Sequence, residues 1–253
     1  MPVIVTRPQE EALRWVQRFV ELGVDAIALP LISIAPPRDP QPLRAAWARM
    51  QGFKAAMFVS ANAVRHFFAQ APSGAGFRIR AWATGPGTSH ALRARGVDAA
   101  LIDEPREDSA QFDSEALWRV VEGEVRRGDR VLVVRGGDSE GDPAGREWLA
   151  ERLEDRGCEV HVVVAYRRVI SEWDETRIAL ARSAASDGSQ WLFSSSEAIR
   201  HLLRLVPGQD WSAARAVATH PRIAEAARGA GFGTVRECRP DFDEVLRSLQ
   251  SDR

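Results

Sequence analysis

A long internal repeat is the feature of this sequence that most constrains its fold. The phrase FVSANAVRHFF at residues 58–68 returns as FSSSEAIRHLL at residues 193–203. In both copies an apolar run ends at a serine, a small polar cluster follows, and a helical pattern with Arg-His begins. The match continues without a gap as far as Gly96 in the first copy and Gly231 in the second. A repeat of this length predicts two related structural units.

A second module, of a different kind, also occurs twice. Val3-Ile4-Val5 predicts a short buried strand, apolar residues then recur at helical spacing as far as Gly23, and a second strand is predicted at 26–29. A strand, a helix and a strand in this order form the β-α-β element of parallel sheets. The predicted fold class is therefore α/β, with two similar lobes that each contain a parallel sheet flanked by helices. The copies of the two modules lie at residues 3–34 and 131–168, and at residues 53–104 and 190–238.

The position of the linker conflicts with a simple tandem arrangement of the lobes. Ala35–Pro42 is rich in proline, which disfavours helix and favours extended backbone, and it is the one strong linker signal in the first half of the chain. It lies inside the first repeat, whereas a tandem array would place its linker near residue 125. The residues around 125 predict only an ordinary helix end and turn.

Charge and cysteine content exclude several classes of function. The 253 residues carry a formal net charge of −1, so no global attraction to nucleic acid or to an anionic membrane is expected. Cys158 and Cys238 are too few for a disulfide framework or a cysteine metal site. Arg7 comes too early for a signal peptide, and no apolar run approaches the roughly 20 residues of a membrane span. We therefore expect a reduced, cytoplasmic protein with no nucleic-acid or membrane partner.

The candidate site lies where the predicted strands end, because open parallel sheets bind ligands beyond the carboxyl ends of their strands. The stretches there are rich in hydroxyls, glycines and arginines. Most of them precede or begin a helix, whose free N–H groups and dipole attract anions. Two lobes facing each other would form an anion-lined cleft. The stretches are Thr6-Arg7-Pro8, Ser60-Ala61-Asn62, Thr84-Gly85-Pro86-Gly87-Thr88, Arg135-Gly136-Gly137, Ser194-Ser195-Ser196 and Thr219-His220-Pro221.

Other interpretations of these stretches remain open or are disfavoured. Ser60 and Ser195 can equally be helix N-caps, and a cap does not exclude contact with a ligand. Gly85-Pro86-Gly87-Thr88 is not a G-x-G-x-x-G motif and no Walker lysine is present, which disfavours a nucleotide site. His220 has no carboxylate and cysteine set at metal spacing around it, so no metal site is predicted. The residues alone predict a two-lobed, metal-free, anion-binding protein.

The motifs taken together resemble the uroporphyrinogen-III synthase family. They occur in that family's order and cover the chain from residue 3 to about residue 238. Each motif alone is weak, but the ordered set is specific. The motifs are VIVTRP at 3–8, LPLISI at 29–34, FVSANAV at 58–64, GPGTSHALRARG at 85–96, AYRRV at 165–169, FSSSEAI at 193–199 and VATHPRIAEAARGAGF at 217–232.

The resemblance implies a particular construction of the lobes. In the family, one α/β lobe is inserted into the other and the two are joined by a two-stranded connection. For this chain that implies a first lobe of residues 1–35 and 167–253 and a second, inserted lobe of residues 37–165. The proline-rich stretch would then be a crossing between lobes, which resolves the linker conflict.

The resemblance also implies the activity. The family closes hydroxymethylbilane, a linear tetrapyrrole with eight carboxylates, into a macrocycle with the last ring inverted, through an azafulvene cation and a spiro intermediate. It uses no cofactor, and a monomer is expected. Tyr166, the one tyrosine of the chain, matches the family tyrosine that would help hydroxide leave; its alternative is a packed aromatic at a strand end. A non-catalytic tetrapyrrole- or anion-binding relative with the same fold is the competing hypothesis.

The remaining site residues follow from the same resemblance and from strand-end position. One departure from the family lies in the last loop, Thr219-His220-Pro221-Arg222, where the family's glycine and threonines are replaced. That departure puts side-chain contacts from this loop in doubt, although backbone N–H contacts would survive it. The substrate-binding candidates are Thr6, Arg7, Ser60, Asn62, Gly85, Thr88, Arg135, Gly136, Ser195, Thr219 and His220.

Overall fold

The computed structural model describes residues 1–106, 114–143 and 148–250. The strands are β1 (Val3–Val5), β2 (Ala26–Ala28), β3 (Ile32–Ala35), β4 (Ala55–Phe58), β5 (Arg80–Ala83), β6 (Ile102–Asp103), β7 (Arg130–Gly137), β8 (Glu159–Ile170), β9 (Gln190–Phe193), β10 (Arg215–Ala218) and β11 (Thr234–Glu237). The α-helices are α1 (Gln9–Glu21), α2 (Gln41–Ala48), α3 (Ala61–Phe68), α4 (Pro86–Ala94), α5 (Ser114–Val121), α6 (Trp148–Asp155), α7 (Glu175–Ser183), α8 (Ser196–Leu205), α9 (Pro221–Gly229) and α10 (Phe242–Gln250).

The chain divides into two compact units. The discontinuous unit contains Met1–Ser33 and Val169–Arg253, and the continuous unit contains Ile34–Arg168. The chain passes from one unit to the other within β3 and returns within β8.

The discontinuous unit is built on a parallel sheet of order β11-β10-β9-β1-β2. Alternate residues of its strands enter different cores. On one face Val3, Val5 and Leu192 pack with Phe19 of α1 and with α10. On the other face Trp191 and Phe193 contact Phe232 through edge-on rings. Both faces are therefore covered, as parallel sheets require.

The continuous unit has the sheet order β3-β8-β7-β4-β5-β6, and the pairs from β8 to β6 are parallel. Strand β4 shows how the sequence directs its two faces. Ala55 and Met57 enter one apolar core, whereas Ala56 and Phe58 enter the other. A run of four buried apolar residues thus forms a central strand that is covered by helices on both sides.

The predicted α/β class, with two parallel sheets flanked by helices, is confirmed. The prediction that Arg135-Gly136-Gly137 lies beyond the end of its strand is wrong, because these residues are the last three of β7. Strand β8 is long, from Glu159 to Ile170, and supplies pairing partners for them. None of the described helices has both the length and the apolar content to cross a bilayer.

Candidate functional site

Each sheet has one point where the order of strands reverses direction, and such switch points are where open α/β sheets bind ligands. In the discontinuous unit the chain proceeds outward from β1 to β2 on one side and from β9 to β11 on the other. In the continuous unit the switch lies between β4 and β7. Ligand-binding residues are therefore expected just after β1 and β9, and just after β4 and at the end of β7.

At the β1–β9 switch point, Thr6 ties the two strands together. Its hydroxyl donates to the carbonyl of Leu192 at 2.7 Å, and its backbone N–H donates to the same oxygen at 3.4 Å. The residue is 1% exposed. Thr6 therefore has a structural role at this edge, and its hydroxyl proton is already donated to the Leu192 carbonyl.

Arg7, the next residue, carries a positive charge at this edge. Its guanidinium lies 4.2 Å from the centroid of the Trp15 ring and its Nη1 lies 3.4 Å from Oε2 of Glu11. The Nε atom is buried and has no hydrogen-bond partner among the described residues. Burial lowers the pKa of Arg7, and the Glu11 carboxylate opposes that shift. Arg7 is thus a partly satisfied, partly buried cation, which gains from a further anionic partner.

The other predicted residues of the discontinuous unit are helix caps and backbone. Ser195 caps α8 by accepting from the N–H of Glu197 at 3.2 Å. His220 caps α9 through Nδ1, which accepts from the N–H of Arg222 at 3.1 Å. Thr219 is buried, and its N–H donates to the carbonyl of Phe193 at 3.1 Å. Ser195 and His220 cap helix N-termini at this edge, whereas Thr219 is buried and bonded through its backbone.

In the continuous unit, Ser60 and Asn62 lie at the start of α3. Ser60 is the N-cap and accepts from the N–H of Ala63 at 3.1 Å. Asn62 Oδ1 accepts from Nη2 of Arg65 at 2.9 Å. The capping interpretation of both serines, Ser60 and Ser195, is therefore confirmed, and it leaves one lone pair and the hydroxyl proton of Ser60 for a further contact.

Tyr166 takes up that contact. Its hydroxyl oxygen lies 3.2 Å from Ser60 Oγ, with either atom able to donate. The ring stacks on His66 of α3 at a centroid distance of 5.8 Å and is 5% exposed, within the apolar core on the α3 face. The tyrosine ring is thus packed in the core, while its hydroxyl lies at the carboxyl edge of the sheet.

The end of β7 supports this arrangement. Gly136 pairs with Tyr166, and a Cβ at position 136 would lie 2.5 Å from Cζ and 2.8 Å from the hydroxyl oxygen of the tyrosine. Arg135 is 4% exposed, inside the strand. Arg135 therefore differs from its repeat partner Arg7, which is more exposed and follows a shorter strand.

The loop between β5 and α4 completes the edge of the continuous unit. Thr84 Oγ1 donates to the carbonyl of Val59 at 3.2 Å and joins this loop to the end of β4. Gly85 is the N-cap of α4 in an extended conformation, and its carbonyl accepts from the N–H of Thr88 at 2.9 Å. Thr88 is 5% exposed, so the loop offers backbone groups more than its threonine side chain.

Several features of these edges were not predicted. Trp15 beneath Arg7 and His66 beside Tyr166 were missed, although Arg-His recurs in both copies of the repeat. In the second copy His201 is buried, with its Nδ1 2.8 Å from the carbonyl oxygen of Leu31. Across the described ranges 1–106, 114–143 and 148–250, no group of three His, Cys, Asp or Glu side chains is arranged to hold a metal ion.

Comparison with known proteins gives consistent matches. The family profile described as uroporphyrinogen-III synthase HemD matches residues 14–246. The uroporphyrinogen-III synthases of Salmonella typhimurium and Escherichia coli are each 28% identical to this chain, with 99% of this chain and 100% of the relative covered.

Two solved structures share the fold. The synthetase of Helicobacter pylori superposes with a TM-score of 0.63 at 16% identity, and both chains are covered completely. A mutant synthase of Thermus thermophilus gives a TM-score of 0.57 at 15% identity, with 99% of this chain and 98% of that chain covered. At these identities the structures support the fold alone.

Proposed function

The chain belongs to the uroporphyrinogen-III synthase family, and we propose on that premise that it is the synthase itself. It converts hydroxymethylbilane into uroporphyrinogen III, as a lyase that releases water, closes the ring and inverts the last pyrrole. The observation that carries this assignment is the family match across residues 14–246. The hydroxyls, helix N-termini and arginine at the two switch points support it, because they suit a substrate that carries eight carboxylates.

The protein's main contribution is orientation. The electron-rich pyrroles expel the hydroxyl group and attack without a protein nucleophile, so no covalent enzyme intermediate is needed. Holding the two ends of the chain in the spiro geometry supplies the rate advantage, since well-oriented intramolecular reactions reach effective molarities of about 10⁵–10⁸ M.

The carboxylates are held by charge and by backbone donors. Arg7 offers its guanidinium to a propionate or acetate. The N–H groups at the starts of α3, α4, α8 and α9 offer further hydrogen bonds. The side chains of Thr6, Thr88 and Thr219 are buried, so these residues contribute by shaping the loops rather than by reaching the substrate.

Tyr166 is the proposed proton donor. The C–O bond of the hydroxymethyl group breaks, the oxygen takes the phenolic proton and leaves as water, and the pyrrole nitrogen lone pair stabilises the azafulvene cation. Attack at the substituted carbon of the last ring, fragmentation and reclosure follow. The proton lost when the last ring regains its aromaticity returns to the phenolate, so the cycle consumes no acid.

The direct test supplies hydroxymethylbilane, oxidises the products and separates the isomers by chromatography. Isomer III as the main product is expected. Closure to isomer I at the rate seen without protein overturns the assignment. Tight binding of the bilane without a rise in isomer III is the outcome that the non-catalytic relative predicts.

Assembly and location belong to the same proposal. We expect the synthase to act as a monomer in the cytoplasm, on a small-molecule substrate and without nucleic acid or membrane as partners. Sedimentation equilibrium at micromolar concentration tests the assembly: a mass of 28.0 kDa is expected, and a multiple of it contradicts the monomer.

A further inference from the structure

We propose that Ser60 and Gly136, together with a β-bulge at Ala165, are a positioning device for the hydroxyl of Tyr166. This inference rests on the proposed role of Tyr166 as proton donor and goes beyond it by assigning the residues that aim and prepare the phenol. Gly136 is thereby a positioning residue and not a residue that contacts substrate.

The bulge decides the direction in which the tyrosine points. Arg135 pairs with Val164 and Gly136 pairs with Tyr166, so Ala165 is an extra residue in β8. In a regular strand Val163 and Tyr166 would point to opposite faces of the sheet. Here Val163, Ala165 and Tyr166 all enter the core on the α3 face. The extra residue therefore turns the phenol towards α3 and Ser60, the re-aiming of a side chain for which β-bulges near active sites are known.

Gly136 provides the space for the phenol. A side-chain carbon at this position would meet Cζ at 2.5 Å and the hydroxyl oxygen at 2.8 Å, which are distances that real Cβ atoms do not adopt. The obstacle to a larger residue is thus the reactive end of the tyrosine itself. Any substitution with a side chain has to push the hydroxyl away from its present place.

Ser60 prepares the hydroxyl for proton donation. Ser60 Oγ already accepts from the N–H of Ala63, and its own proton is free to be donated to the tyrosine oxygen at 3.2 Å. The phenolic proton then remains available for the departing hydroxide. As the phenolate forms, the serine hydrogen bond strengthens, and the adjacent N-terminus of α3 favours the negative charge.

The test uses the fact that Tyr166 is the only tyrosine of the chain. Full-length protein labelled with 3-fluorotyrosine gives one fluorine resonance, which reports the surroundings of this phenol alone. The variants are Ser60→Ala, Ser60→Thr, Gly136→Ala and, as a matched glycine control with open space around it, Gly123→Ala. Each is measured for kcat, KM and the fluorine resonance.

The expected results separate positioning from folding. Ser60→Ala should lower kcat roughly tenfold, as expected for a charge-assisted hydrogen bond, and move the resonance, while Ser60→Thr restores both. Gly136→Ala should move or split the resonance and lower kcat, at most to the kcat of Tyr166→Phe. Gly123→Ala should match the wild type. In a Tyr166→Phe background, Ser60→Ala should lower kcat no further.

Two results overturn the proposal. One is an unchanged fluorine resonance in folded Ser60→Ala. The other is an equal loss of kcat for Ser60→Ala in the presence and absence of the tyrosine hydroxyl. If Gly136→Ala does not fold, the serine variants still decide. If Tyr166→Phe alone has wild-type turnover, the proton-donor role fails, and the fluorine measurements show separately whether the positioning contacts exist.

Discussion

Replacing Arg7 with alanine should change which product the protein makes. Hydroxymethylbilane also closes without enzyme to the symmetric isomer, so the protein has to bind and orient the substrate before that reaction occurs. Arg7 is the residue whose guanidinium lies at the β1–β9 switch point with a buried Nε that lacks a partner among the described residues. Its removal should weaken substrate binding without removing the proposed acid.

The magnitude follows from the hydrogen bond that Arg7 would make to the substrate. A charged hydrogen bond to a carboxylate contributes about 1.5–3 kcal/mol, so binding should weaken by roughly one to two powers of ten. The loss of folding stability should be no larger than this, at about 0.6–2 kcal/mol. Within the protein, the substitution removes one partly exposed ion pair with Glu11 and one cation–π interaction with Trp15, each contributing about 0.3–1 kcal/mol.

The assay measures the fraction of isomer I at limiting and at excess enzyme. Arg7→Ala should raise this fraction at limiting enzyme, and excess enzyme should partly restore isomer III. Arg7→Lys should be intermediate, since lysine keeps the charge but loses the fork. Arg18→Ala is the matched control: Arg18 also lies on an aromatic ring, 3.7 Å from the centroid of Phe242, but near the far end of α1.

The reasoning is refuted if Arg7→Ala and Arg18→Ala give the same isomer fraction and the same KM as the wild type. Arg7 would then be a structural arginine. Equal losses in both variants would instead indicate a general effect on the unit.

Three further predictions concern other parts of the molecule. Tyr166→Phe should lower kcat by about 10²-fold and reduce the unfolding free energy by only about 1 kcal/mol; a wild-type kcat would leave the residue as a packed aromatic. A fragment of residues 37–165 should unfold cooperatively in urea, whereas residues 1–125 should not, because that fragment lacks β7, β8 and β9 and exposes strand edges; the reverse outcome contradicts the proposed lobes. Burial raises the pKa of Cys238 to about 11, so its alkylation rate should still rise at about pH 9.5, where a thiol of pKa about 8.5 is nearly saturated. The stabilisation linked to this thiol is complete below about pH 8.5 and is lost as pH rises towards about 11. The reason is that the Cys238 thiol of the unfolded chain ionises at a lower pH than the same thiol in the folded protein.

The sequence allowed most of the secondary structure to be predicted. Periodicity located β1, α1 and β2, and Gly23 ends α1 with φ of +71°, the backbone conformation that glycine adopts most readily. The caps at Ser60 and Ser195 were also within reach, because a cap joins residues two or three apart. The end of β7 could not be predicted in this way, because Arg135 and Gly136 belong to the strand through their pairing with β8.

The repeat, the alternation of buried strands and helices and the strand-end hydroxyls are properties of neighbouring residues, so the sequence by itself determined the fold class and the edge of each sheet that carries the candidate site. Only the tertiary structure decided how that edge is assembled. Gly136 approaches Tyr166 across 30 residues of sequence, beside the extra residue Ala165, and the hydrogen bond between Ser60 and Tyr166 spans 106 residues. Such contacts depend on the register between strands and on which face of the sheet a helix covers. Neither quantity is encoded in the local period of apolar residues, because the same periodic strand can pair in more than one register.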